Sequence, residues 1–123
     1  MSGISRVLVV EDQAMLLLDL VDNLEDHGIA ALPVATADTA AQHLPTAQID
    51  ALITDIEMPG TMNGLDLAWR FAQQKPGLPI VIVSGGVRPT PAQLPPGAVF
   101  VQKPYSIDQV LEGLACQLWA HAA

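Results

Sequence analysis

Five polar residues of this 123-residue chain stand at the ends of short apolar runs. Glu11 and Asp12 follow Val7–Val10, Asp55 follows Ala51–Thr54, Ser84 follows Pro79–Val83, and Lys103 closes the run Ala98–Val101. Together they supply three carboxylates, one hydroxyl and one ammonium. Crowded carboxylates repel one another, and at least one is driven to bind a proton unless a cation arrives. Oxygen-rich acidic sets suit hard divalent ions, Mg²⁺ (or Mn²⁺) where phosphate chemistry follows. No His or Cys stands in these segments, which argues against zinc. A carboxylate so placed can attack a phosphoryl donor and form an acyl phosphate. The metal, an ammonium and a hydroxyl would then meet the charge on the transferring oxygens, and Gly85 leaves room for close approach. Each position alone has an ordinary explanation, because strands often end in polar residues. That explanation weakens when five such residues follow apolar runs in one chain.

The elements that must position these groups are legible as an alternation. Val7–Val10 is a buried strand, with four consecutive apolar residues and no polar alternation. Residues 13–27 show helical spacing and stop at Gly28. Ile29–Val34 is a weaker strand, and Thr36 or Asp38 caps a short helix through Leu44, ended near Pro45. Ala51–Thr54 is a third strand, followed by a loop, Glu57 to Asn63, and a helix, Gly64–Gln74. Pro79–Val83 and Ala98–Val101 are the fourth and fifth strands, and residues 107–120 form the last helix with Ser106 at its N-cap. Between those strands, Pro89, Pro91, Pro95 and Pro96 leave only Thr90–Leu94 as a possible helical turn. Five such units predict an α/β, doubly wound, five-stranded parallel sheet whose fourth helix is short or irregular. In that fold ligands gather at the carboxyl ends of the strands, where the five polar residues stand.

Bulk composition narrows the function classes. The length is that of one domain, expected to span residues 1–123, and half of the chain is apolar, enough for one core. A net charge of −8 with scattered Arg6, Arg70, Lys75, Arg88 and Lys103 disfavours a nucleic-acid surface. The single cysteine, Cys116, excludes an internal disulfide and fits a reducing compartment. No run approaches the roughly 20 apolar residues of a membrane span, and Val7–Val10 is too short for a signal peptide. A cytoplasmic protein, without nucleic-acid or membrane partners, is expected.

Val9-Val10-Glu11-Asp12, Asp55-Ile56-Glu57-Met58-Pro59, Asn63-Gly64-Leu65, Ser84-Gly85 and Val101-Gln102-Lys103-Pro104 follow in this order along the chain. In that order they resemble the response-regulator receiver family of two-component signalling over essentially the whole length. The resemblance implies a flavodoxin-like receiver fold with Asp55 as phosphoacceptor. It implies that Glu11, Asp12, Asp55 and the backbone carbonyl of Glu57 hold Mg²⁺. Ser84 would hydrogen-bond the phosphoryl oxygens, Lys103 would pair with them, and the Lys103–Pro104 peptide bond would be cis, against roughly 5–6% of X–Pro bonds in general. The implied partners are a sensor histidine kinase or a histidine phosphotransfer protein, which commonly meet the first helix, and an unspecified downstream protein.

Several positions depart from the family pattern or lie outside it. Phe100 occupies the place of the family's switch aromatic without a hydroxyl; it reads equally as core and as switch. The loop Pro59–Gly64 is one residue longer than the commonest pattern, and the proline-rich segment 87–97 puts the usual partner face in doubt. The Glu57 side chain reads first as a solvated carboxylate and second as a group that tunes phosphate lifetime. Met15, Leu16, Leu17, Leu18 and Leu20 cannot all face inward, so part of that helix is expected to form a partner surface. His27, His43 and His121 read as surface residues; Trp69, Trp119 and Cys116 read as packing.

The expected function is a stand-alone receiver, since no output domain follows residue 123. It would switch partner binding or act as a phosphate sink or relay, and it would catalyse only its own phosphorylation and dephosphorylation. One competing class is an aspartate-nucleophile phosphatase resembling haloacid-dehalogenase enzymes, where Glu57 would be the second acid. The adjacent Glu11-Asp12 pair, the Lys103-Pro104 pair and the short chain argue against it. The other is a pseudo-receiver that binds partners without phosphorylation, against which the intact five-residue set argues.

Overall fold

The computed structural model describes residues 4–44 and 48–122, with side chains through Gln117. Pro45 and the side chains of Trp119 and His121 lie outside the described residues. In chain order the elements are β1 (Arg6–Val10), α1 (Ala14–Asp26), β2 (Ala30–Val34), α2 (Ala37–Gln42) and β3 (Ala51–Asp55). They continue with α3 (Gly64–Gln74), β4 (Ile80–Ser84), a 3₁₀ turn (Pro91–Gln93), β5 (Val99–Gln102) and α4 (Ile107–Ala122). All strands pair in parallel in the order β2-β1-β3-β4-β5. The expected doubly wound sheet is the observed one, and each strand lies within one residue of its apolar run.

The apolar runs are continuous because both sheet faces are covered. Leu8, Val10, Leu52, Ile80 and Ile82 pack on one face against Ala37 and Ala40 of α2 and Leu67, Ala68 and Phe71 of α3. Val7, Val9, Ile53, Val81 and Val83 pack on the other against Leu20 and Leu24 of α1 and Val110 and Leu114 of α4. A residue type that alternates sides along a strand therefore meets a core on either side.

Caps set the helix starts. Thr36 caps α2 by accepting from the Thr39 amide at 3.1 Å. Asn63 and Asp66 form a reciprocal capping box at α3. Ser106 Oγ accepts from the Gln109 amide at 3.3 Å at the start of α4. Asp38 has a different task from the capping considered for it. Its carboxylate accepts from the Thr61 amide at 3.0 Å and the Thr61 hydroxyl at 2.8 Å, pinning the β3–α3 loop. At Gly60 in that loop φ is +107°, and a Cβ there would lie 2.1 Å from Asp38 Oδ2. Gly64 is required for another reason: a Cβ would lie 1.8 Å from the Asp55 carbonyl oxygen, so only glycine lets α3 start against the end of β3.

Where a fourth helix would stand between β4 and β5 there is one 3₁₀ turn, Pro91–Gln93. It is tied to α3 by Trp69, whose Nε1–H donates to the Gln93 carbonyl at 2.9 Å. Trp69 is thus a partly exposed tether, not simple core packing. Cys116 is also exposed, contrary to its packing reading. His27 is exposed and His43 half-buried.

Candidate functional site

Order β2-β1-β3-β4-β5 puts β3 between β1 and β4, so the carboxyl ends of these three strands are neighbours. Asp55 and Ser84 are the last residues of their strands and still in register, opposite Val83 and Gln102 respectively. Both are therefore held by ladder geometry and not by loops. Glu11, just past β1, is fixed by its amide donating to the Val34 carbonyl at 3.1 Å. Lys103, just past β5, is fixed by its amide donating to the Ser84 carbonyl at 2.9 Å. The Lys103–Pro104 bond is cis, as expected.

The side chains converge. One ligand oxygen from each of Glu11, Asp12 and Asp55 can be chosen so that all lie within 4.8 Å of one another. Lys103 Nζ donates to Glu11 Oε1 at 2.8 Å and to Asp55 Oδ2 at 3.0 Å. Glu11, Asp55 and Ser84 are buried, whereas Asp12 opens to solvent. Among the described residues Asp55 Oδ1 is the one buried side-chain polar atom without a hydrogen-bond partner. Such an atom is costly unless a cation or a reacting group meets it. A cavity of about 310 Å³ lies at this point, lined by Asp12, Gln13, Asp55, Glu57, Gly85, Gly86 and Lys103. Gly85 lines this cavity, and a Cβ there would meet Lys103 Cβ at 3.6 Å, an ordinary contact.

The electrostatics follow from this crowding. Burial, then the nearby Glu57 carboxylate, push Asp55 up to about 7, and the Lys103 contact only partly offsets them. For Lys103 burial works against the charge, yet the hydrogen bonds to Glu11 and Asp55 outweigh it and raise the ammonium above its ordinary range. Glu57 goes the other way. Burial opposes its charge, but the Ser84 hydrogen bond and further donors hold its carboxyl down at about 2.

That last group departs from its solvated reading. Glu57 Oε1 accepts from Ser84 Oγ–H, from the Gly86 amide at 3.1 Å and from the Val87 amide at 3.2 Å. Nothing in the local sequence signals this, because the donors lie 27 to 30 residues away. Phe100 sits half-buried on β5, opposite Ile82, against the α3-side core. On α1, Leu20 is buried, while Met15 is 81% and Leu18 59% exposed. The apolar run on that helix does divide between core and surface.

Residues 7–115 match the family described as response regulator receiver domain. Among curated proteins, the nitrogen assimilation regulatory protein NtrX of Azorhizobium caulinodans is 27% identical over 85% of this chain and 24% of its own length. The C4-dicarboxylate transport transcriptional regulatory protein DctD of Rhizobium meliloti is 31% identical over 91% of this chain and 25% of its own. The transcriptional regulatory protein BasR of Escherichia coli is 29% identical over 94% of this chain and 53% of its own. The chain thus spans from about a quarter to about half of these relatives. Among solved structures, a response regulator receiver protein from Sinorhizobium medicae superposes with a TM-score of 0.89 at 27% identity, covering 98% of both chains.

Proposed function

The chain belongs to the response regulator receiver domain family, and on that premise we propose that it accepts a phosphoryl group on Asp55 in a Mg²⁺-dependent reaction. The observation that carries the proposal is the state of the Asp55 carboxylate: Oδ2 is held by the Lys103 ammonium at 3.0 Å, while buried Oδ1 has no partner. The oxygens of Glu11, Asp12 and Asp55 fit a small hard cation, which they would hold together with the backbone carbonyl of Glu57. When bound, Mg²⁺ would supply positive charge against the phosphoryl oxygens and keep Asp55 ionised.

In the proposed step an Asp55 carboxylate oxygen bonds to the phosphorus of a phosphohistidine or a small acyl phosphate. The bond from phosphorus to the imidazole nitrogen or the acyl oxygen breaks, and the leaving group takes the electron pair. Lys103 pairs with one phosphoryl oxygen and Ser84 Oγ–H donates to another, both offsetting charge that develops in transfer. Burial on the strand end positions Asp55 without side-chain search. Loss of the group is the attack of water on the same phosphorus. The site turns over no external substrate in this reading, and its output is altered binding of a downstream protein. The donor is a sensor histidine kinase or a histidine phosphotransfer protein in the cytoplasm. Among the described residues no helix is long and apolar enough to cross a membrane.

Incubation with acetyl phosphate and Mg²⁺, followed by intact-mass measurement, tests the proposal. The protein gains one phosphoryl group, Asp55→Asn gains none while keeping its circular dichroism spectrum, and omission of Mg²⁺ suppresses uptake. Continued labelling of Asp55→Asn would overturn the assignment.

A further inference from the structure

The Glu57 side chain stands where none of the roles above places it. Three donors from the end of β4 and the turn behind it converge on its Oε1: the Ser84 hydroxyl and the Gly86 and Val87 amides. The Val87 amide also donates to Ser84 Oγ at 2.8 Å, which occupies a lone pair of that oxygen and leaves its single proton for Glu57. Glu57 and Asp55 line the same cavity. A hydroxyl with one proton cannot serve a carboxylate and a phosphoryl oxygen together.

We propose that the Glu57 carboxylate is an internal stand-in for the phosphoryl group, a latch that occupies the Ser84 hydroxyl and the Gly86 and Val87 amides until phosphorylated Asp55 displaces it. The inference rests on Asp55 being the phosphoacceptor. One anion replaces another in the same donor set, so the exchange conserves hydrogen bonds. The phosphoryl dianion and the Glu57 carboxylate repel each other at this range, which makes the two states exclusive. Glu57 is itself exposed, so its released carboxylate passes into water at small cost. Its release also cuts the tie between the β3–α3 loop and the turn at Gly86 and Val87, where the segment 87–97 begins, while the Trp69 contact to Gln93 still holds that segment. The latch therefore makes Glu57 a positioning residue: it sets the resting state of Ser84 and ties the β3–α3 loop to the segment standing in for a fourth helix.

The test is a double-mutant cycle read by the initial rate of phosphoryl uptake from acetyl phosphate with saturating Mg²⁺. Glu57→Ala removes the competitor and speeds uptake by about tenfold, the scale of one charge-assisted hydrogen bond. In a Ser84→Ala background the same change gives a smaller gain, because only the Gly86 and Val87 amides are left to compete for. Equal gains in the two backgrounds would mean that Glu57 acts only by repelling the anionic donor, and would overturn the latch. A second readout needs no variant of the buried Ser84: the carboxyl carbon resonance of Glu57 moves to its solvated position when beryllofluoride and Mg²⁺ are added. A resonance that stays in place while beryllofluoride binds also overturns it. If wild-type protein takes up no phosphoryl group, the Asp55 assignment fails and takes the latch with it. Normal wild-type uptake with no Glu57 effect removes the latch alone.

Discussion

Lys103→Met keeps the apolar stem of the side chain and removes the one cation among three carboxylates. Its Nζ sits 2.8 Å from Glu11 Oε1 and 3.0 Å from Asp55 Oδ2, with the lysine side chain 15% and both acids 3% exposed. At these distances and an effective dielectric of about 20, each contact is worth about 5–6 kcal/mol before desolvation. Burying the ammonium cancels much of that, and deletion of one member of a buried pair costs about 3–5 kcal/mol net. Proton uptake limits the loss, because Asp55, already raised to about 7, takes a proton more readily once the ammonium is gone. We therefore expect metal-free Lys103→Met to lose about 2–4 kcal/mol of unfolding free energy near pH 8 and less near pH 6. Mg²⁺ should bind the variant more tightly than wild type, by about tenfold or more, since it no longer displaces an ammonium from two of its ligands. Urea unfolding with EDTA and with Mg²⁺, at both pH values, measures all of this. Equal stability of variant and wild type without metal at pH 8, or weaker Mg²⁺ binding by the variant, would refute the reasoning.

Three further outcomes follow from the same geometry. In EDTA, Asp55 binds its proton more tightly folded than unfolded, so its contribution to stability falls as pH rises from about 4 to about 7; comparison of wild type with Asp55→Asn isolates that slope, and Mg²⁺ should abolish it. Asp38→Ala removes both acceptors of Thr61 and should cost about 1 kcal/mol of stability and weaken Mg²⁺ binding severalfold, by loosening the loop that carries the Glu57 carbonyl; calorimetric titration checks it. Trp69→Phe keeps the ring but loses the donor to Gln93, and should cost about 1 kcal/mol while amide exchange quickens over residues 87–97.

Residue order alone determined the parts of this protein that act over a few positions. Val7–Val10 declared a doubly covered strand because nothing polar interrupts it, and residues 13–27 declared a helix through their apolar spacing and the stop at Gly28. The four prolines of 87–97 likewise announced the missing helix, since proline removes donors locally. What brings Lys103 to Glu11, 92 residues away, is the sheet order that seats β3 between β1 and β4, and strand pairing is decided by the whole core. The strand pattern already put all five polar residues on one edge of the sheet; which of them touch was decided by the strand order. Glu57 shows the limit most clearly. Its position two residues after Asp55 says nothing of Ser84, and only the tertiary approach of two strand ends turned an ordinary exposed acid into an acceptor of three hydrogen bonds.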